Sequence, residues 1–264
     1  MPKSFKDHQS RSSTKVLLTA PNGAGKSTAL ATLANAGQRL IIFDFDNGLD
    51  TMKAHINDDA WDRIFYETLR DTPGNIHAFD TYKSLLWKGF KVDGVDLGSA
   101  KTWGPDTTIV IDSATFMTDA VKYALLDRGE TAKDGRKIAR PMNDQLTMPD
   151  WGELVRDLEW EIAQLTSDTI KANVVITAVN LGIEDQSGVD REYPNIGTKN
   201  FSREVGGYFN NVVSIRDKRD GTKVLRTQSD NRQSLKTANS KAVPAELPVD
   251  LAALFELLQK GKAA

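Results

Sequence analysis

Residues 20–28, "APNGAGKST", bring two glycines, a lysine and two hydroxyls together at a spacing that suits a triphosphate. In such a loop successive backbone N–H groups curl inward around phosphate, and the positive end of the following helix adds to them. Lys26 would neutralise β- and γ-phosphate oxygens, and Ser27 would coordinate Mg²⁺. The expected nucleotide site is therefore Asn22, Gly23, Ala24, Gly25, Lys26, Ser27 and Thr28. One position departs from the pattern G-x-x-x-x-G-K-[ST], because Ala20 stands at its first glycine. That glycine eases the exit from a strand, and alanine can serve there wherever φ is negative. Gly23 and Gly25 remain where backbone must approach phosphate. The alternative is a chance glycine turn.

Magnesium needs a second anchor, and "TIVIDSA" supplies Asp112 at the end of four apolar β residues. The carboxyl edge of a buried strand is where ligands of open α/β sheets collect. The competing reading is that Asp112 or Ser113 caps the next helix. Residue 113 is serine rather than glutamate, so a base for hydrolysis must lie elsewhere. "IIFDFDNGLD" offers Asp44 and Asp46, which alternation along a strand puts on one side. Orienting a water in line with a γ-phosphate needs a carboxylate. Asp46 is the expected base, against a turn-capping role.

The elements that must hold these groups alternate along the chain. "KVLLTA", "RLIIFDFD", "DTTIVIDSA" and "NVVITAVN" read as buried strands; "KSTALATLANA" and "TFMTDAVKYALLD" read as helices. "NNVVSIRD" and "TKVLRTQ" form a later strand pair, and "PVDLAALFELLQK" a terminal amphipathic helix. Buried β runs alternating with helices predict an α/β fold: a mainly parallel central sheet flanked by helices, with later antiparallel strands. Residues 66–104, 127–150 and 181–205 read as irregular, the last two as long loops of the kind that carry function.

Composition narrows the chemistry. The 264 residues suit one sizeable domain, expected over 14–260 after a flexible basic leader at 1–13. There is no cysteine, which excludes thiol catalysis and cysteine-ligated zinc, and the three histidines lack ligand spacing. A formal net charge of −2 gives no global attraction to polyanions, so such a site must come from local clusters. No apolar run approaches the roughly 20 residues that cross a bilayer. The expected place is the cytoplasm, with no membrane partner.

"IIFDFDNGLD", "TIVIDSATF" and "VVITAVN" followed by a long loop resemble the RecA-like P-loop NTPase core in order and spacing. The likeness is closer to short phage relatives, ATP-binding single-strand annealing proteins of AAA-family type, which share the "VPAELPVDLAALF" kind of ending. This resemblance implies ATP and Mg²⁺ as cofactors. It also implies single-stranded DNA as partner, a homo-oligomeric ring or filament, and a single-strand-binding protein as a further partner. It puts a sensor amide at Asn180, where the fourth strand is expected to end, so that the catalytic set becomes Lys26, Asp46 and Asn180. Those relatives usually carry glutamate where this chain has Asp46, and a shorter carboxylate implies slower hydrolysis or another base.

The resemblance further assigns DNA contact to two loops. Residues 131–141 hold Lys133, Arg136, Lys137 and Arg140 against Asp134, a local excess suited to phosphate. Residues 181–205 are nearly balanced in charge but offer Arg191, Lys199 and Arg203, with Tyr193 and Phe201 for stacking. Arg232 and Lys236 are the residues expected to reach a neighbouring subunit's γ-phosphate; both also suit a solvated strand. In "WGELVRDLEWEIAQLTS", Trp151, Leu154, Val155, Leu158, Ile162 and Leu165 form one apolar helical stripe expected in the core. Trp160 falls opposite, on a face for a neighbouring protomer or an overlying loop.

The sequence thus predicts an ATP-dependent, single-strand-DNA-binding ATPase acting in phage recombination or annealing. The alternatives are a helicase loader or partner-remodelling ATPase, a small-molecule kinase, and a nucleotide-gated module with little turnover.

Overall fold

The computed structural model describes residues 13–131, 137–184 and 188–260. The chain opens on β1 (Lys15–Ala20), the glycine loop and α1 (Lys26–Asn35), then β2 (Arg39–Asp44) and the short α2 (Leu49–Lys53). β3 (Ile64–Thr68), α3 (Ala78–Lys88) and a small hairpin of β4 (Lys91–Val92) with β5 (Val95–Asp96) follow. Next come β6 (Thr107–Asp112), α4 (Ala114–Arg128) and a second small hairpin, β7 (Glu130–Thr131) with β8 (Lys137–Ile138). α5 (Met148–Thr166), β9 (Asn173–Glu184), β10 (Asp190–Pro194) and α6 (Lys199–Glu204) lead to β11 (Asn211–Asp217), β12 (Lys223–Arg226), β13 (Glu246–Pro248) and α7 (Leu251–Lys260).

The main sheet runs in the order β13-β12-β11-β1-β9-β6-β2-β3, with β10 paired to β9. β11, β1, β9, β6, β2 and β3 pair in parallel. β12, β13 and β10 add antiparallel pairs at one edge and on the β9 extension. This is the α/β arrangement expected from the alternating pattern.

Strands buried on both faces explain the near-continuous apolar runs. Val16, Leu18 and Ala20 of β1 enter one core with α1 and α7, while Leu17 enters the other with α3, α4 and α5. β2 divides likewise, Leu40 and Ile42 against Ile41 and Phe43. Lys15 is buried at the start of β1, and its Nζ donates to the carbonyls of Ile170 and Ala172.

Three segments expected to be irregular contain regular elements among their described residues. Residues 66–104 contain α3, whose Phe79, Tyr82 and Leu86 are buried at helical spacing. Its start is held by Asp71, whose carboxylate accepts from the N–H groups of His77 and Ala78. A cap six residues upstream leaves no local start signal. Residues 127–150 form β7 and β8 and then the capping box of α5, where Thr147 and Asp150 bond each other's backbone N–H. Residues 181–205 continue β9, turn back as β10 and enter α6. β9 therefore does not end at Asn180 but leaves β1 there and pairs onward with β10. These polar, half-exposed strands lack the apolar alternation that marks buried ones.

The α5 stripe also needs correction. Leu154, Leu158, Ile162 and Leu165 are buried, but Val155 only partly, and Trp151 is 39% exposed at the first turn. Trp160 is 63% exposed. Among the described residues no helix is long and apolar enough to cross a membrane.

Candidate functional site

Ala20 is the last residue of β1, fully buried and paired with Val179, so the first position of the glycine pattern lies in ordinary strand. Gly23 and Gly25 have φ of 71° and 101°, the left-handed region that only glycine enters freely. Gly25 stands at the N-cap of α1, and no side chain caps the helix. The first-turn N–H groups thus have no intrahelical acceptor and face the loop. Lys26 is buried, and its Nζ donates to the Pro21 carbonyl at 3.2 Å. Burial lowers its pKa, opposed by the charges of Asp112 and Asp46. Lys223 of β12 donates to the Gly23 carbonyl at 2.8 Å, buttressing the loop from outside.

β6 delivers Asp112 beside this lysine. Its carboxylate accepts from Ser27 Oγ at 3.1 Å and Thr177 Oγ1 at 2.5 Å. Asp112 is fully buried, which raises its pKa; the charge of Asp46 adds to this, while the two hydroxyls and Lys26 oppose it. The peptide between Asp112 and Ser113 is cis. Ser113 occupies the N-cap position of α4, yet its side chain makes no capping bond there, and Asp112 faces the glycine loop instead.

Asp44 and Asp46 divide their work. Asp44 is 1% exposed; its Oδ1 accepts from the N–H groups of Asn47 and Gly48, and its Oδ2 from Thr68 Oγ1. It is the turn-capping carboxylate. Burial pushes its pKa up to about 6, against those N–H bonds and reinforced by Asp46 and Asp112. Asp46 remains beside Lys26 and Asp112, with Oδ1 buried and without a hydrogen-bond partner.

Asn180 sits where β9 leaves the main sheet. Its Nδ2 donates to Glu192 Oε2 at 2.6 Å, while its Oδ1 is buried without a partner. A cleft lined by Pro21, Asn22, Asn180, Asp190, Glu192 and Arg232 joins the glycine loop to the β9–β10 hairpin. Arg232, expected to reach a neighbour, lines this cleft of its own chain. Lys236 lines a second cavity with Arg203 of α6 and with Thr19 at the foot of the loop.

The other basic residues are dispersed. Arg140 is 12% exposed and pairs with Asp150 at 2.6 Å, tying the 127–150 segment to the start of α5. Lys137 falls in β8, and Lys133 and Arg136 lie outside the described residues, as does the leader up to residue 12. Arg191 is on β10; Lys199 and Arg203 are exposed on α6. Sequence reasoning missed Thr177, Glu192, Arg216 and Gln233, and gave Lys223 no role. Each is brought to the site by sheet pairing across distant chain, and none carries a local motif.

The residues present fit a magnesium-bound nucleoside triphosphate. The loop supplies uncapped N–H groups for phosphate, and Ser27 and Asp112 put a hydroxyl and a carboxylate together as hard oxygen ligands. The unpartnered oxygens of Asp46 and Asn180 lie at buried positions where polar groups normally have partners. Among the described residues no group of three or more His, Cys, Asp or Glu could hold a metal without the nucleotide's own oxygens.

A family model described as "AAA domain" matches residues 12–246. No curated protein matches the chain. Among solved structures, RadB recombinase is similar at 14% identity, over 81% of this chain and 79% of that one, with a TM-score of 0.39. The assembled ATPase EscN of enteropathogenic E. coli, in complex with its stalk EscO, shares 12% identity over 89% of this chain but only 45% of its own, with a TM-score of 0.45. A further solved ATPase domain shares 9% identity over 87% of this chain and 79% of that one, with a TM-score of 0.41.

Proposed function

The chain belongs to the AAA domain family of P-loop ATPases, and on that premise we propose that it is a RecA-like ATPase that binds single-stranded DNA in recombination or annealing of phage type. One observation carries the ATPase half: Lys26, Ser27, Asp112 and the unpartnered carboxylate oxygen of Asp46 converge at one end of the parallel sheet. Lys26 and the loop N–H groups bind the phosphates of ATP. Ser27 and Asp112 hold magnesium, which when bound supplies charge neutralisation at the β- and γ-phosphates. Asp46 orients a water against the γ-phosphorus. The water oxygen forms the new P–O bond, the bond to the β–γ bridging oxygen breaks, and ADP and phosphate leave. The water proton passes to the Asp46 carboxylate and on to solvent.

The DNA half rests on the family resemblance and on the cleft that joins the glycine loop to the β9–β10 hairpin. Arg191, Lys199 and Arg203 lie on β10, which pairs with the β9 extension carrying Asn180, and on the helix after it. Trp160 of α5, 63% exposed, offers an aromatic surface for a protomer contact, and the ring or filament itself rests on the family resemblance.

The test is a fluorescence polarisation titration of a labelled single-stranded oligonucleotide with and without ATP, with Lys26→Ala as control. Binding that strengthens with ATP in the native chain alone, and weakens as salt rises, is expected. No binding in either state overturns the DNA assignment and favours a helicase-loader or partner-remodelling role.

A further inference from the structure

Asn180 is not held by its own strand but by a chain of side chains that ends at the foot of the glycine loop. Glu192 Oε2 accepts its Nδ2 at 2.6 Å. Arg216 of β11 grips both oxygens of Glu192, Nη1 to Oε1 at 2.7 Å and Nη2 to Oε2 at 2.5 Å. The same Nη2 reaches Gln233 Oε1 at 3.3 Å, and Gln233 Nε2 donates to Thr19 Oγ1 at 2.8 Å. The backbone N–H of Glu192 donates to the Arg232 carbonyl, so the 230–236 segment is tied to the hairpin at the same residue.

An ionised carboxylate only accepts hydrogen bonds, so the amide nitrogen of Asn180, not its oxygen, must face Glu192. One amide N–H is thereby used. Asn180 lines the cleft, with its second N–H uncommitted and its Oδ1 buried without a partner. Glu192 lines that cleft too, and an anion beside a triphosphate would be unfavourable alone. The bidentate pair with Arg216 neutralises it.

We propose that Glu192 is a positioning residue: held by Arg216, it fixes the Asn180 amide toward the γ-phosphate and ties that amide to the 230–236 segment. This rests on the reading of the cleft as the ATP site. ADP has no group for Asn180 to meet, so Glu192 should matter for ATP and not for ADP. Glutamine at 192 keeps an acceptor oxygen for the Asn180 amide; alanine does not.

The experiment measures affinities for ADP and for a non-hydrolysable ATP analogue in five proteins. These are the native chain, Glu192→Ala, Glu192→Gln, Asn180→Ala and the double alanine variant. Glu192→Ala should lower the affinity for the ATP analogue relative to ADP about tenfold. Its ADP affinity should stay within about twofold of native, which also reports a folded site. Glu192→Gln, which keeps one acceptor oxygen but loses half of the Arg216 grip, should lose less than Glu192→Ala, and Glu192→Ala should add nothing once Asn180 is alanine. A native ratio in Glu192→Ala, an equal loss in Glu192→Gln, or an effect that persists without Asn180 overturns the positioning role alone. A native chain that binds neither nucleotide overturns the ATP-site reading with it.

Discussion

Exchanging glycine and alanine at the two ends of the loop separates what the pattern demands from what the backbone demands. Ala20→Gly restores the usual first glycine. Ala20 is fully buried in β1, so the change removes one buried methyl, worth about 0.8 kcal/mol. It also adds unfolded-chain freedom worth about 0.5–1 kcal/mol. Together these predict a loss of about 1.5 kcal/mol, or roughly 3–6 °C in melting temperature for a chain of this size. Nucleotide affinity should not change, because this residue is strand and not loop. Gly25→Ala is the converse. A Cβ there would meet nothing closer than Thr28 Cβ at 3.9 Å, so space is not the obstacle. The obstacle is φ of 101°, which costs a non-glycine residue about 1–3 kcal/mol. Relaxing that strain turns the N–H groups away from phosphate, with an expected affinity loss of about tenfold or more. Thermal melting and titration with a fluorescent ATP analogue measure both halves. A tenfold gain in affinity from Ala20→Gly, or native binding by Gly25→Ala, would refute the reasoning.

Asp46→Asn should bind ATP normally and lose turnover by about a hundredfold in a phosphate-release assay; retained hydrolysis moves the base elsewhere. For Asp44, whose pKa is about 6 in the folded chain, the proton is favoured by folding. Its contribution is therefore full below the ordinary carboxylate range and lost as pH rises through about 6. Urea unfolding from pH 7 down to 4.5 should show native stability gaining on Asp44→Asn, and a constant difference would count against the raised pKa.

The glycine loop, its lysine and hydroxyl, and the strand delivering Asp112 were all legible in the sequence. Each is a contiguous piece whose meaning lies in spacing: a strand buried on both faces, then small residues where backbone meets phosphate. The parallel core followed from the same alternation. The choice between Asp44 and Asp46 did not, because two carboxylates on one strand face look alike until the turn after β2 turns its N–H groups to one of them. The irregular segments were misread where order comes from afar. Asp71 starts α3 from six residues upstream, and the β9–β10 hairpin depends on pairing rather than on apolar pattern.

Glu192, Arg216, Gln233 and Thr19 come from four places in the chain, with neither glycine punctuation nor periodicity to announce them. Arg140, one of a basic run, is engaged by Asp150. A run of charge states how much charge a segment carries, whereas its direction is set by the partner that folding brings near. The sequence by itself determined that a glycine loop with its lysine and hydroxyl, and a carboxylate at the end of a buried strand, are present. Only the tertiary structure decided which of the other polar groups beside that loop are left unpartnered, because that depends on pairings between residues the chain keeps far apart.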